Sequence, residues 1–425
     1  MDKRRTNEVF IAGRYPELTY NPRGSREQEK ELKRYLADSG KALTISGPSK
    51  SGKTVLLQHN LPETDAIWIN GSDLTSASVL YGKIVDWLGI FDMLEVQQQS
   101  GTATGGKIGA ALKLPGGSGI TAELNGKNSD SEAKTYSRTK SIADVAMQGL
   151  TELPVPIIID DFHYVPEEVK VEIVRAIKAL LLKTHVIMIA VPHEAFDAVR
   201  REPDMDGRVW GLSILPWSKD ELVEIASAGF NLLGVVDHGD VVSKELAKAS
   251  MGAPLLMQQL CLDFLLDKDI WVAQEPAVDL SESDDWNKFF AGVANRSIPG
   301  VFDYLVAGPK KHGQARSKRV RRDGLGATDI YGAILFAVAK MGAVSKIHYT
   351  ELVAKMDELF LDVPQSQQVT TSLGHLASIA KENRGKSDAA VDYKDDSLHI
   401  LEPFLSFYLQ HGSWELPSAP VASQK

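Results

Sequence analysis

The sequence predicts an α/β fold: a parallel sheet with helices on both faces, followed by a small helical lid and a C-terminal winged-helix domain. Three observations predict it. Short apolar runs alternate with segments of helical periodicity in the first half of the chain, which is typical of parallel sheets with crossover helices. Helical periodicity alone follows, and the last third combines three helical segments with two short extended pieces.

Each strand is predicted from a short apolar run. The predicted strands are residues 41–46, 66–70, 156–161, 186–191 and 209–215. Helices are predicted at residues 80–88 and 167–182, and in the lid at residues 219–228, 243–250 and 254–266. Ligands of such sheets bind beyond the carboxyl ends of the strands. Residues that follow the strands are therefore the candidates for a binding site.

The first strand is followed by the motif Gly47-Pro48-Ser49-Lys50-Ser51-Gly52-Lys53-Thr54. Glycines at both ends let backbone N–H groups turn inward, and the next helix adds its positive N-terminus to the same anion site. In such a phosphate-binding loop (P-loop), Lys53 is expected to reach the outer phosphates of a nucleotide and Thr54 to ligate Mg²⁺. The expected nucleotide-binding residues of the loop are Gly47, Pro48, Ser49, Lys50, Ser51, Gly52, Lys53, Thr54 and Val55.

A second signal is the pair of carboxylates that ends the strand at residues 156–161. Asp160 is expected to hold Mg²⁺ together with Thr54. Asp161 stands where a general base or a water-positioning carboxylate is expected. Taken alone, the same residues could be an ordinary strand that runs into an acidic turn.

Length and composition narrow the class of protein. A chain of 425 residues predicts two or three domains, and 43% hydrophobic with 24% charged residues is an ordinary globular composition. No apolar run approaches the ~20 residues that span a bilayer, and the N-terminus lacks the apolar core of a signal peptide. The lone Cys261 excludes an internal disulfide and a cysteine-based zinc site. We therefore expect a cytoplasmic protein without membrane contact, and the net charge of -9 argues against a protein that coats nucleic acid.

Several motifs resemble those of the AAA+ and STAND classes of P-loop ATPases. The resemblance covers roughly residues 15–270. It includes Thr19-Tyr20-Asn21-Pro22-Arg23, which looks like the segment that packs beside adenine, and Leu215-Pro216-Trp217-Ser218-Lys219-Asp220-Glu221-Leu222, which is similar to the family's turn into the lid. The resemblance implies ATP as the nucleotide, with Tyr20, Arg23 and Pro254 among its contacts and Mg²⁺ as the metal.

The sequence departs from the fast members of that class in two places. Asp161 stands where they carry Glu, which implies slow hydrolysis. Gly252-Ala253-Pro254 looks like the glycine-x-proline element of STAND proteins and replaces a lid arginine. Both departures favour a switch over a motor.

The resemblance also identifies residues that could sense nucleotide. His193 occupies the sensor position, and is equally well explained as a solvated turn histidine. Arg208 stands where an arginine finger would act on a neighbouring subunit of a homo-oligomer. Arg200 and Arg201 compete for that role, and an exposed surface charge explains all three as well.

The predicted domains are residues 1–215, 216–280 and 281–425. The first contains an insertion at residues 97–138, in which alternating apolar residues predict a β-hairpin. This hairpin either packs on its own domain or contacts another subunit, a partner or a nucleic acid.

The C-terminal domain is predicted to be a winged helix, with helices at residues 328–341, 349–361 and 365–383 and short extended pieces at 389–393 and 397–400. A basic loop at residues 309–322 precedes most of it and could bind DNA or RNA. Its cations are Lys310, Lys311, Arg316, Lys318, Arg319, Arg321 and Arg322. The third helix offers only Lys381 and Arg384 near its end. The loop could equally bind an acidic partner or be a solvated charge run.

Three functions follow from these observations. The preferred one is a STAND-like regulatory ATPase that hydrolyses ATP slowly and switches assembly or a partner effector, with prokaryotic antiviral defence as the setting that the resemblance implies. The second is a DNA-binding AAA+ ATPase of the initiator or transposition-helper type. The third is a scaffold that binds nucleotide without hydrolysing it.

Overall fold

The computed structural model describes residues 3–90, 111–112, 120–121, 141–190, 199, 202–310, 316–362, 364–383 and 389–414. The chain forms two compact units. The sheet unit comprises Glu27–Ser46 and Leu56–Ser213, and the helical unit comprises Met1–Arg26, Gly47–Val55 and Ile214–Lys425. The P-loop and the first 26 residues thus belong to the helical unit, a division that differs from the predicted boundaries.

Each predicted strand and helix has a counterpart within the described residues, and the structure there contains further helices and short strands that were not predicted. The helices are α1 (Thr6–Val9), α2 (Glu27–Ala37), α3 (Lys53–Asn60), α4 (Ala77–Trp87), α5 (Ile142–Glu152), α6 (Glu167–Leu180), α7 (Lys219–Leu232), α8 (Val241–Ala249), α9 (Pro254–Asp267), α10 (Trp286–Arg296), α11 (Phe302–Ala307), α12 (Ile330–Lys340), α13 (Tyr349–Leu359), α14 (Ser366–Glu382) and α15 (Pro403–His411). The strands are β1 (Ala42–Ser46), β2 (Ile67–Asn70), β3 (Ala111–Leu112), β4 (Ile120–Thr121), β5 (Ile157–Asp160), β6 (Val186–Ala190), β7 (Val209–Ser213), β8 (Val235–Val236), β9 (Val278–Asp279), β10 (Arg319–Val320), β11 (Ala327–Thr328), β12 (Lys346–His348), β13 (Val391–Lys394) and β14 (Ser397–Ile400).

The sheet unit is built on a five-stranded sheet with the order β2-β5-β6-β1-β7. All neighbouring strands in it run parallel. Both faces are buried. Ile157 and Ile159 of β5 join the apolar core formed with α4, α5 and α6, whereas Ile158 points to the opposite face and is also fully buried. Helix α2 contacts the sheet through Tyr35, whose hydroxyl donates to the carbonyl oxygen of Val186 over 2.9 Å. The predicted sheet with helices on both faces is confirmed.

The helical unit has one continuous apolar core. Val9 and Phe10 at the end of α1, the lid helices α7 to α9 and the C-terminal helices all contribute buried side chains to it. Phe264 of α9 stacks on Trp286 of α10 with the ring centroids 5.2 Å apart. The lid and the C-terminal region lie in the same compact unit, and the domain boundary between residues 280 and 281 stays a prediction.

The predicted winged helix is present at the C-terminal end of the helical unit. It consists of α12, α13 and α14 with a three-stranded antiparallel sheet in the order β12-β14-β13. The turn between β13 and β14 contains Asp395 and Asp396, both with positive φ. Strand β12, which pairs with β14, was not predicted.

Two further segments differ from the prediction or lie partly outside the described residues. Part of the expected basic loop is strand β10, which pairs with β11 in an antiparallel hairpin. In the insertion, β3 pairs antiparallel with β4, as in the predicted hairpin, and the rest of residues 97–138 lies outside the described residues. None of the helices in the described ranges combines the length and apolar character of a membrane-spanning segment.

Candidate functional site

The P-loop follows β1 and leads directly into α3, which begins at Lys53. Its two glycines are required by the backbone. A Cβ on Gly47 would lie 2.6 Å from the carbonyl oxygen of Ile214, which is closer than a non-bonded carbon and oxygen can approach. Gly52 has a φ of +91°, which residues with a Cβ rarely adopt. The loop conformation thus depends on glycine at both of the positions that the motif specifies.

Lys53 lies across its own loop. The side chain is buried, and its ammonium group donates to the carbonyl oxygens of Gly47 over 2.9 Å and Pro48 over 2.7 Å. The residue therefore holds a positive charge over the concave backbone of the loop. A lysine in this position is the typical partner of nucleotide phosphates.

Ser51 is also buried, and its hydroxyl oxygen has no hydrogen-bond partner among the described residues. A buried hydroxyl without a partner is costly. The first turn of α3 adds its backbone N–H groups, at the end where the helix dipole is positive. An orphan hydroxyl, an ammonium group and a helix N-terminus together fit an anion with several oxygens, such as a nucleotide phosphate.

The carboxylates predicted from the sequence lie at the carboxyl end of β5 in the sheet unit. Asp160 is in register with Asn70 of the neighbouring strand β2. Asp161 has a φ of +52°, and its N–H group donates to Oδ1 of Asp160 over 2.9 Å. A Cβ on Gly71 would lie 2.4 Å from the carbonyl oxygen of Asp161. The backbones at the ends of β2 and β5 are therefore in close contact, which fixes the backbone positions of Asp160 and Asp161.

Asn70 was not predicted as a candidate site residue. It could have been, because Asn70, like Asp160, is a polar residue that ends an apolar strand. The side-chain oxygen of Asn70 accepts a hydrogen bond from the N–H group of Ser72. Within the described ranges no group of three or more His, Cys, Asp or Glu residues could hold a metal ion. The donors present suit Mg²⁺, which binds through one or two carboxylates and otherwise through water and substrate phosphates.

The start of the lid is clamped to the N-terminal segment. Arg23 binds Glu221 with two hydrogen bonds, from Nε over 2.9 Å and from Nη2 over 3.0 Å. It also donates to the carbonyl oxygens of Leu215 and Pro216, and its guanidinium lies 4.9 Å from the ring centre of Trp217. Arg23, expected beside the nucleotide, is thus engaged by the protein itself. Its contact with ATP stays a prediction.

The contacts between Arg23 and Glu221 also change the pKa of Glu221. Burial raises the pKa of the Glu221 carboxyl, but hydrogen bonds from Arg23 and Ser218 and the charge of Arg23 outweigh it, so the pKa is lowered. Ser218 and Glu221 form the predicted capping box at the start of α7. The carboxylate therefore stabilises both the helix end and the N-terminal segment.

Trp217 connects this clamp to the P-loop. Its indole N–H group donates to the carbonyl oxygen of Ser51 over 2.8 Å. A Cβ on Gly52 would lie 3.9 Å from the ring of Trp217 and 4.0 Å from Pro254, a predicted nucleotide contact. The structure thus brings the lid residues Trp217 and Pro254 to the loop. Tyr20 lies in the same unit, with its ring 6.2 Å from that of Tyr15.

The C-terminal helix α15 also reaches the P-loop. The ammonium group of Lys50 forms an ion pair with Glu402, the N-cap residue of α15, and lies 4.7 Å from the ring centre of Phe404. No sequence pattern predicts this contact, because the two charged residues are 352 positions apart.

Arg208 immediately precedes β7, and its carbonyl oxygen accepts a hydrogen bond from the N–H group of Ala42 at the start of β1. It therefore lies at the amino edge of the parallel sheet, opposite the carboxyl edge at which β1 ends. Its role as a finger toward another subunit stays a prediction. His193, Arg200 and Arg201 lie outside the described residues.

The basic segment is used mostly for internal contacts. The guanidinium of Arg316 pairs with Asp329 over 2.6 Å. That of Arg319 is buried and donates to the backbone carbonyl oxygen of Asp362 and to the side-chain oxygen of Gln368. Arg321 lies over the ring of Phe336, and Arg322 pairs with Asp357. Lys310 and Lys318 are exposed, while Lys311 and Arg384 lie outside the described residues. Four of the predicted nucleic-acid contacts thus have structural partners.

Comparison with known proteins gives a distant resemblance. No protein-family model matches the chain, and no curated protein matches it. The chain is similar to the Aeropyrum pernix ORC2 protein at 14% identity, over 95% of both chains and with a TM-score of 0.48. It is similar to Cdc6p from Pyrobaculum aerophilum at 13% identity, over 95% of this chain and 97% of that one, with a TM-score of 0.41.

A third similar structure is a STAND protein with a tetratricopeptide repeat sensor from Pyrococcus horikoshii. The identity is 13% and the TM-score 0.35, and the match covers 89% of this chain and 41% of the other. All three similarities are distant. The proposed function therefore depends on the residues of this chain.

Proposed function

We propose that this protein binds Mg-ATP and hydrolyses it slowly as a nucleotide-controlled switch. The observation that carries the proposal is the P-loop: the ammonium group of Lys53 donates to the carbonyl oxygens of Gly47 and Pro48, and the buried hydroxyl of Ser51 in the same loop has no hydrogen-bond partner among the described residues. An anion with several oxygens is the ligand that these donors suit. Adenine is preferred as the base because the sequence has no lysine-asparagine motif of the kind that reads guanine.

In this proposal each residue has one role. Lys53 and the loop backbone would bind the phosphates, and the sequence motifs assign Thr54 and Asp160 to Mg²⁺, which would neutralise phosphate charge. Asp161 accepts the proton of the attacking water or orients it. A carboxylate one methylene shorter than Glu reaches less far, which supports slow turnover and a signalling role.

The lid and the C-terminal domain would carry the signal. Trp217 and Lys50 connect the loop to both, so a change at the phosphates has a direct route to α7 and to α15. We propose that the output is assembly or the release of a partner effector on another chain, with the immunity setting that the sequence resemblance implies. A homo-oligomer would give Arg208 a nucleotide to act on.

The test is binding and hydrolysis of Mg-ATP by the purified protein. We expect Lys53→Ala to weaken ATP binding by roughly tenfold or more, because a charge-assisted contact to phosphate is lost. Lys30→Ala is the matched control, since Lys30 is an exposed lysine of α2 in the sheet unit. Equal binding by Lys53→Ala and the wild type would overturn the proposal.

Hydrolysis separates the switch from the scaffold. We expect Asp161→Asn to lower the turnover rate by roughly 100-fold, the usual size of a lost general base, while ATP still binds. A wild-type protein that binds ATP and never turns it over would identify the non-hydrolysing scaffold instead.

A DNA-binding ATPase is the second candidate, favoured by the winged helix and the exposed lysines Lys310 and Lys318. Two features count against it. The arginines of the basic segment have internal partners, and the turn between β13 and β14 carries Asp395 and Asp396, which would repel phosphates. Hydrolysis stimulated by duplex DNA in a salt-sensitive manner would favour this candidate over the switch.

A further inference from the structure

Glu402 connects the P-loop to the first turn of α15. One carboxylate oxygen, Oε1, accepts a hydrogen bond from the ammonium group of Lys50. The other, Oε2, accepts one from the N–H group of Leu405 over 2.7 Å. The same side chain therefore serves as helix cap and as the partner of a loop residue. A shift of Lys50 alters the charge balance at the start of α15.

The two ends of this connection are well anchored. The N–H groups of Leu401 and Glu402 both donate to the carbonyl oxygen of Ala390. On the other side, Lys50 has a φ of +59°, which is unfavourable for a residue with a Cβ. The ion pair and the ring of Phe404 help to hold that conformation.

The pair is also sheltered from solvent. The side chain of Glu402 is 15% exposed and that of Lys50 is 33% exposed. Charges that are partly removed from water interact more strongly than exposed ones. A carboxylate held at the edge of an anion site also repels the anion, and its ion pair with Lys50 offsets part of the positive charge that Lys50 could offer to a phosphate.

We propose that Glu402 is a positioning residue that competes with the nucleotide phosphates for Lys50. Phosphate binding withdraws Lys50 from Glu402 and changes the charge at the first turn of α15, and Glu402 in turn lowers the affinity of the loop for nucleotide. These two effects are linked, because coupling between two sites is reciprocal. The inference depends on the proposed nucleotide binding and adds the residue through which the C-terminal domain senses it.

The first test is the affinity for Mg-ATP of Glu402→Gln, which removes the charge and keeps an oxygen to cap α15. We expect the affinity to rise roughly two- to fivefold, the range of one partly exposed ion pair. Glu358→Gln is the matched control, because Glu358 forms an exposed pair with Lys355 in the same domain. An unchanged affinity in Glu402→Gln would overturn the inference.

A double-mutant cycle tests whether Lys50 transmits the effect. If it does, Glu402→Gln changes ATP affinity in the wild-type background and has no effect in a Lys50→Gln background. An equal gain in both backgrounds would show direct repulsion and overturn the competition for Lys50.

Hydrogen exchange provides a readout of α15 itself. We expect saturating Mg-ATP to change the exchange rates of the amides of residues 404–407 in the wild type, and unchanged exchange would contradict the proposal. The controls also separate this inference from the proposed function. Loss of ATP binding in Lys53→Ala, with Glu402→Gln identical to wild type, overturns only the role of Glu402. A wild type that binds no nucleotide overturns both.

Discussion

The indole N–H group of Trp217 donates a hydrogen bond to the carbonyl oxygen of Ser51, with 2.8 Å between the two atoms. Trp217 also lies under the guanidinium of Arg23. One aromatic side chain therefore contacts the P-loop on one side and the clamp at the start of the lid on the other. The conformation of the loop depends on residues far from it in sequence.

Replacing Trp217 by Phe is expected to lower the free energy of unfolding by about 1 kcal/mol, because the Ser51 carbonyl loses its donor while most of the ring contact remains. ATP affinity should fall with it, since the loop is less well held. Chemical denaturation and ATP titration measure the two effects. Trp271→Phe is the control at an exposed tryptophan, and equal behaviour of the two variants would contradict the role of Trp217.

Arg23→Lys is expected to destabilise the protein by about 2 kcal/mol, because lysine cannot form the bidentate contact with Glu221. The acid dependence should change as well. The pKa of Glu221 is lowered from its ordinary value of 4.5, so the stabilisation is present above pH 4.5 and is lost as the pH falls through the lowered pKa.

Unfolding curves of wild type and Arg23→Lys between pH 7 and pH 3 test this prediction. The difference between the two proteins should shrink as the carboxyl is protonated. A difference that stays constant at all pH values would show that the charge of Glu221 does not contribute.

Substitutions of Arg319 and of its neighbour Lys318 in the basic segment are expected to have different effects on stability. Arg319→Ala is expected to cost about 2 kcal/mol of stability, because its buried guanidinium bonds Asp362 and Gln368. Lys318→Ala should change stability by less than about 0.5 kcal/mol, since Lys318 is exposed. Thermal unfolding of the two variants and the wild type measures these changes in stability.

The same pair tests nucleic-acid binding. If duplex DNA binds here, Lys318→Ala should reduce the salt slope of binding by about one while the protein stays folded. Loss of DNA binding in Arg319→Ala alone would report unfolding of the β10 region and would not identify a phosphate contact.

His411 is expected to make the protein sensitive to mild acid. Burial and then the charge of Lys248 lower the pKa of this histidine to about 4, and its ring packs on Phe290 and Phe407. The unfolded chain takes up the proton near the ordinary value of 6.5, while the folded protein does so only near 4. Stability is therefore expected to fall as the pH drops from 6.5 toward 4.

His411→Phe should remove this part of the acid dependence, because phenylalanine keeps the ring contacts and cannot be protonated. Unfolding curves of both proteins over this pH range measure the difference. His238→Gln, at an exposed histidine, serves as the control and should keep the wild-type profile. An unchanged profile in His411→Phe would contradict the assignment.

Motifs and strands that depend only on neighbouring residues were predictable from the sequence. The P-loop lies within one stretch of eight residues, and glycine at position 52 is required by its local backbone conformation. The strands of the central sheet are continuous apolar runs, and the capping box of Ser218 and Glu221 spans a single turn. Such patterns are visible in sequence because their physical cause is local.

Short strands without a clear pattern of apolar residues were not predicted from the sequence. Strand β10 consists of two residues in a run of arginines, so it has neither the length nor the apolar alternation of a typical strand. Its pairing with β11 and its hydrogen bond to Leu361 are what make it a strand. Short strands depend on their neighbours more than on their own residues.

The charged residues that make internal contacts could be identified only from the three-dimensional fold. Arg23 and Glu221 are 198 positions apart, and Lys50 and Glu402 are 352 positions apart, so no periodicity or spacing connects them. The same holds for the basic segment. The sequence of a run of arginines does not show whether the side chains face solvent or contact residues such as Asp329 and Phe336. Side-chain partners are set by the packing of distant elements. Local sequence specifies a helix, a strand or a loop, and the three-dimensional fold then determines what each charge binds.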